Sequence, residues 1–241
     1  MNEESEVHPS NDPNDSAGWG ADFVVMESES TPHRVELRRL ANQTRELIEI
    51  LKVSRAPIEA VTKAADIVEQ ALGELRDFSK GQVYEGFFAE VANAGGSPHA
   101  FFDHSPIVGV ANPLASPIKL AISNGVVHGK ANFGPAYEGP PGHVHGGFIA
   151  ASFDEVLGMA QSLGGAPGMT GTLTIKYRSP TPLNTDLRFE ATLDKQEGRK
   201  QFTSGRLYKG DILCAEAQGL FISVDFSKFA KMMADSQESQ K

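Results

Sequence analysis

EGPPGHVHGGFIAASFDEVLG, residues 138–158, is the stretch from which the fold is read. Gly146 and Gly147 follow His145 directly, and a run that is apolar on nearly every side comes next: Phe148, Ile149, Ala150, Ala151, Phe153, Val156, Leu157, Met159 and Ala160. Its length suits a helix, predicted over 146–163. A helix that is apolar all round has no face to offer water and must be buried by something wrapped about it. The Gly164-Gly165-Ala-Pro-Gly168 run reads as the helix stop. It lacks the Lys-Ser/Thr pair that a phosphate-binding loop needs.

Outward from this helix the texture changes to strands. Before it lie candidate strands at 107–111, 118–122 and 126–133, and Asn124-Gly125 gives a tight hairpin signal between the last two. After it lie candidates at 171–178, 186–196, 200–209 and 212–224, punctuated by Pro, Gly and Asn. Strands joined by short turns form an antiparallel meander. A curved antiparallel sheet wrapped around one buried helix satisfies both patterns, so the expected class is α+β.

Further from the centre the chain is simpler. Residues 1–32 are rich in Asn, Asp, Glu, Ser and Pro and read as a loosely ordered acidic segment. Residues 33–79 carry two helical patterns. Leu37, Leu40, Leu47 and Leu51 step by threes and fours with Thr44 in the gap, and Ile58, Val61, Ala65, Val68, Leu72 and Leu75 do the same. The expected result is an antiparallel helical hairpin, a packing or oligomerisation appendage whose charged residues Arg38, Arg39, Arg45, Glu46 and Glu49 lie off the stripe. Residues 80–104 read as a connector, 105–226 as the sheet domain and 227–241 as a tail.

Composition narrows the partners. The chain has 241 residues, 31 acidic against 22 basic, for a formal net charge of -9. A diffuse acidic excess argues against nucleic acid, which needs concentrated Lys and Arg. No run approaches the ~18 apolar residues of a membrane span, and the acidic first residues do not resemble a secretory signal, so a cytoplasmic protein is expected. The lone Cys214 lies in an apolar stretch and reads as a small buried residue. His143 and His145 form an H-x-H pair, but no third ligand stands at a suitable spacing, so neither a metal nor a cofactor is expected. Ser152 lacks the G-x-S-x-G elbow of a nucleophilic serine.

The chemistry sits where the helix begins. The first N–H groups of a helix have no internal acceptor and lie at the positive end of its dipole. With Gly146 and Gly147 there, a ligand can approach the backbone closely. Such a terminus can hold a carbonyl oxygen as it becomes an oxyanion. Asp154 and Glu155 then fall inside an apolar helix, where a carboxylate is costly unless it is paired or used. Asp154 lies nine residues past His145, a rise of about 13 Å and a turn of about 900°, or half a turn net. The two cannot meet across one ester carbonyl within one chain. If both act on one substrate, the acid comes from a second copy, which argues for a two-fold dimer with shared sites.

These residues, with Gly158 one turn after Asp154 and Thr170 opening the next strand, resemble the hotdog-fold acyl-CoA thioesterases of the PaaI-like and mammalian thioesterase-superfamily branch. The runs Tyr177-Arg-Ser-Pro-Thr-Pro-Leu183, Leu193-Asp-Lys-Gln-Glu-Gly-Arg-Lys200 and Ala215-Glu-Ala-Gln-Gly-Leu-Phe-Ile222 are similar to that branch as well. The resemblance covers residues 105 to 224. It implies a hotdog fold and hydrolysis of acyl-CoA by a homodimer or a dimer of dimers. By position it implies Asp154 as general base or nucleophile, the Gly147 N–H as oxyanion donor with Gly146 beside it, His145 orienting the thioester, and Thr170 positioning water. Lys176, Arg178, Arg199 and Lys200 are its candidates for the CoA phosphates. Relatives with an Asn or Gln shortly before the His-Gly-Gly differ here, where Glu138 stands as a charge without an assigned role. Two other readings are a non-catalytic acyl-CoA sensor and an acyl-CoA hydratase. The hydratase would need a His a few residues after Asp154, and none follows.

Overall fold

A computed structural model of the chain describes residues 31–78, 105–165 and 168–223. The N-terminal segment, the 80–104 connector and the C-terminal tail expected from sequence lie outside these residues.

Six strands form one antiparallel sheet: β1 (Ile118–Ser123), β2 (Val126–Ala131), β3 (Gly168–Tyr177), β4 (Leu187–Glu197), β5 (Lys200–Lys209) and β6 (Ile212–Ser223). Their spatial order is β1-β2-β4-β5-β6-β3, so β1 and β3 are the two edges. Asn124 and Gly125, both at positive φ (51° and 75°), close the β1–β2 hairpin. Two positive φ values give the turn a twist that matches the strands, which Asn-Gly tolerates at low cost.

One long helix, α3 (Gly146–Ser162), lies across the sheet. Ile149, Phe153, Val156, Leu157 and Ala160 are buried on it, and they meet the inward residues Leu187, Phe189 and Ala191 of β4, Leu207 of β5 and Ala217 and Phe221 of β6. Phe153 and Phe189 pack edge to face at 5.3 Å between centroids. Cys214 is fully buried, as its apolar setting foretold. The hotdog class read from the sequence is the architecture observed.

The stretch at 107–111 is a turn and not a strand. Ser105 Oγ accepts from the N–H groups of both Ile107 and Val108, and Gly109 N–H donates to Ser105 O. A serine before a proline (Pro106) is a helix-start signal, and that local capping outcompetes the strand propensity of the apolar run.

The two N-terminal helices are present as α1 (Pro32–Val53) and α2 (Ile58–Arg76). Thr31 caps α1, its Oγ1 accepting from Arg34 N–H at 3.3 Å. Ser54 is extended after α1, and Pro57 precedes α2. The packing differs from the expected hairpin. Every residue from Ile50 to Phe78 is exposed, so the apolar stripe of α2 does not close on α1. The face α1 turns toward the domain coincides only in part with the leucine stripe, of which Leu37 and Leu47 are half-buried. Leu40 and Leu51 are exposed at 39% and 64%, whereas Ala41 is buried and Arg45 and Glu49 are half-buried. Arg45 donates to Val110 O at 2.8 Å and Asn112 O at 3.0 Å, and Glu49 accepts from Ala136 N–H at 2.9 Å. Backbone groups in turns need partners once covered, and long charged side chains reach them while their stems pack.

Candidate active site

The loop that feeds α3 is held at several points. Pro135–Tyr137 forms a single 3-10 turn. His145 N–H donates to Tyr137 O at 2.8 Å, Val144 N–H to Thr181 O at 2.8 Å, and Leu183 N–H to Gly142 O at 3.0 Å. Residues 134–145 are thereby tied to the 179–183 turn that follows β3. A Cβ on Gly139 would stand 2.7 Å from His145 Cα, so only glycine allows that approach. Glu138, without a role in the sequence reading, accepts from Gly142 N–H at 2.8 Å and faces Lys52 of α1 at 3.5 Å. The Gly142 N–H holds its carboxyl below the usual glutamate range, with Lys52 adding to the effect.

His145 is the N-cap of α3, and its Nδ1 accepts from Gly147 N–H at 3.0 Å. That bond requires the neutral imidazole with its proton on Nε2. His145 and Gly147 are exposed and Gly146 is half-buried. The donor expected to meet a carbonyl oxygen is therefore reachable, but it is occupied by its own cap. Tyr177 Oη donates to Gly146 O at 2.8 Å and ties the end of β3 to the start of α3. Sequence reading had Tyr177 only as the first letter of a similar run.

Asp154 sits in the middle of α3, half-exposed, and Thr170 Oγ1 donates to its Oδ1 at 2.8 Å. The structure thus brings together two residues that the sequence separates by sixteen positions. Glu155, the next residue, turns to another side and accepts from Ser105 Oγ at 3.1 Å. Burial pushes its carboxyl up and Asp154 beside it adds to that, with the Ser105 bond opposing. The Ser105 contact carried no sequence signal, being fifty residues away.

A groove of about 490 Å³ opens at the start of α3, lined by His143, Gly146, Ile149, Tyr177 and Arg178 among others. Arg178 pairs with Glu216 at 2.5 Å and holds that carboxyl low. Lys176 also faces Glu216, at 3.9 Å, but lines the opposite sheet face. Arg199 donates to Ser223 O at 3.2 Å, and Lys200 stands opposite Ile222 at the far end of the sheet. Glu216 and Ile222 are six positions apart on β6, roughly 20 Å. The four cations expected to serve one ligand form two groups within one chain. Among the described residues, no cluster of three His, Cys, Asp or Glu could hold a metal ion, and no helix is long and apolar enough to cross a membrane.

The chain is similar in sequence and fold to known proteins. The Thioesterase superfamily profile matches residues 141–216. Acyl-coenzyme A thioesterase THEM4 of Xenopus laevis is 40% identical over 93 residues, covering 38% of this chain and 42% of that protein. The Bos taurus protein of the same name is 41% identical over 97 residues, covering 39% and 40%. The chain thus spans about two fifths of the length of the curated relatives it matches. A thioesterase superfamily protein of known crystal structure superposes with a TM-score of 0.65 at 30% identity, over 78% of this chain and 90% of that one. That share exceeds the sheet domain alone, residues 105–223 being about half of the chain.

Proposed function

Since this chain belongs to the thioesterase superfamily, we propose that it hydrolyses acyl-CoA thioesters to a free acid and CoA. The observation that carries the reading is the Asp154–Thr170 pair, placed mid-helix at an open sheet edge. A carboxylate there, fixed by a hydroxyl and open to solvent on one side, is a general base for water or a nucleophile for a thioester carbon.

The same geometry supports a site shared between two copies. Tyr177 at the end of β3 is bonded to the start of α3, and Thr170 near the beginning of β3 is bonded to the middle of α3. Among the described residues β3 pairs only with β6, which leaves its other edge open. If that edge pairs antiparallel with its own copy, the Thr170 end of one strand lies beside the Tyr177 end of the other. Asp154 of one copy then faces His145 and Gly147 of the other, which a single chain cannot achieve. The same pairing brings the Arg199–Lys200 end toward Arg178, joining the two cation groups for the CoA phosphates.

In the general-base form, Asp154 takes a proton from a water held by Thr170. The water oxygen bonds to the thioester carbon, and the carbonyl oxygen gains charge at the Gly147 N–H. The C–S bond then breaks, and the sulfur leaves as the thiol with the proton Asp154 had taken. The oxygen must displace the His145 Nδ1 from Gly147 N–H. The Nε2–H is left as the ring's outward donor, able to orient the thioester.

Thiol release from a panel of acyl-CoAs of rising chain length tests this. Hydrolysis of at least one class, abolished in Asp154→Asn, is expected. No hydrolysis across the panel by a folded dimer would turn the reading toward a binding protein.

A further inference from the structure

Sequence reading set α1 apart as an appendage, yet α1 touches the loop that delivers His145. Glu49 Oε2 accepts from Ala136 N–H at 2.9 Å. Gly134 lies under the same carboxylate, and a Cβ there would come within 2.5 Å of Glu49 Oε1. Glycine at 134 leaves the room that Glu49 fills. One turn further along α1, Lys52 faces Glu138 across 3.5 Å, and one turn earlier Arg45 anchors the helix to Val110 O and Asn112 O. Three successive turns of one helix thus hold the two loops in front of α3.

The residue after Ala136 completes the connection. Tyr137 O accepts from His145 N–H at 2.8 Å, its ring packs edge to face on Phe148 in the first turn of α3 at 4.9 Å, and its Oη donates to Ala115 O at 3.1 Å. Between the Glu49 carboxylate and the His145 backbone there is one hydrogen bond, the backbone of two residues (Ala136 and Tyr137) and one more hydrogen bond. Glu49 also lies close enough to Tyr137 to push its phenol up further than burial alone.

We propose that Glu49 is a positioning residue for His145, so that α1 sets where the imidazole that caps α3 stands toward the Gly147 N–H and the substrate. This rests on the reading that His145 and Gly147 engage the thioester. A misplacement of a fraction of an ångström there is felt in turnover far more than in binding, because the substrate keeps its remote contacts.

The test uses the full chain and three variants. Glu49→Ala removes the acceptor. Gly134→Ala crowds the carboxylate off Ala136 while leaving Glu49 in place. Glu49→Gln keeps an amide oxygen for the same N–H. The first two should lower kcat roughly 10-fold with KM little changed, and Glu49→Gln should recover most of it. The His145 ring nitrogens, followed by NMR, should shift in the first two and not in the third. In a His145→Ala background, Glu49→Ala should cost almost nothing further, because the two act as one unit. Unchanged kcat in Glu49→Ala and Gly134→Ala, or full additivity with His145→Ala, overturns the proposal. If His145→Ala itself leaves turnover intact, it is the underlying reading of the site that fails, and the two failures are told apart.

Discussion

Asp154 and Glu155 are neighbours with different surroundings, and the helix makes them so by turning about 100° between them. Asp154 has a hydroxyl partner and an open side, so Asp154→Asn should cut turnover at least ~100-fold with an unchanged circular dichroism spectrum. Glu155 is half-buried, and the pKa that its desolvation raises fixes a sign. Between its ordinary value near 4.5 and the raised one, the folded chain holds a proton that the unfolded chain has lost. Stability from this group is full below that value and is lost as pH rises through the raised one. Glu155→Gln, which keeps an acceptor for Ser105, should melt higher than the parent at neutral pH and alike near pH 4. Equal melting across that range would show that Glu155 is not desolvated in the folded chain. Gly139→Ala should displace His145 and cost roughly 1–3 kcal/mol in denaturant titrations. The candidate site residues stand out in the sequence because His-Gly-Gly and a carboxylate inside an apolar helix are each odd for a core. Glu155–Ser105 and Tyr177–Gly146 were not, since no periodicity announces a contact across the fold.

At the scale of elements, hydrophobic period served well where burial was two-sided and misled where it was one-sided. α3 was read within a residue because almost every side of it is apolar. α1 was read as a helix correctly, but its docking face was misassigned. Half of the leucine stripe, Leu40 and Leu51, stays in solvent, and the face with Arg45 and Glu49 meets the domain. Period sees side-chain oil; it does not see that turns in the domain offer bare carbonyls. The contrast can be measured in denaturant titrations. Leu51→Gln should change stability by less than about 0.5 kcal/mol. Arg45→Ala should cost roughly 1–3 kcal/mol by orphaning Val110 O and Asn112 O, and should expose α1 to protease. The reverse ranking would show that the stripe is the packed face.

At the scale of the whole molecule, the proposed dimer rests on the edge strand β3. β3 has exposed positions along most of its length, with Met169 and Tyr177 over half exposed at its two ends. Charge on such an edge blocks strand addition. Thr174→Lys puts a charge at an exposed position of β3, four residues past Thr170 and three before Tyr177, and should lower the mass measured by light scattering to that of one chain. Turnover should vanish with it. A monomer that still hydrolyses acyl-CoA would refute the shared site. The proposed dimer has no signal in the sequence beyond an argument about helix rise, because an edge strand and a central strand look alike in sequence.

The imidazole lodged on Gly147 N–H also bears on how a cycle ends. In the proposed reaction the departing acid carries a carboxylate, the kind of group that lingers at a helix start. Here it must contend with a ring tethered two residues away, present at an effective concentration no dissolved ligand reaches. The ring reclaims its amide as soon as the acid loosens. Product inhibition should therefore be weak in the parent and stronger in His145→Ala, where the amide has no resident occupant to return.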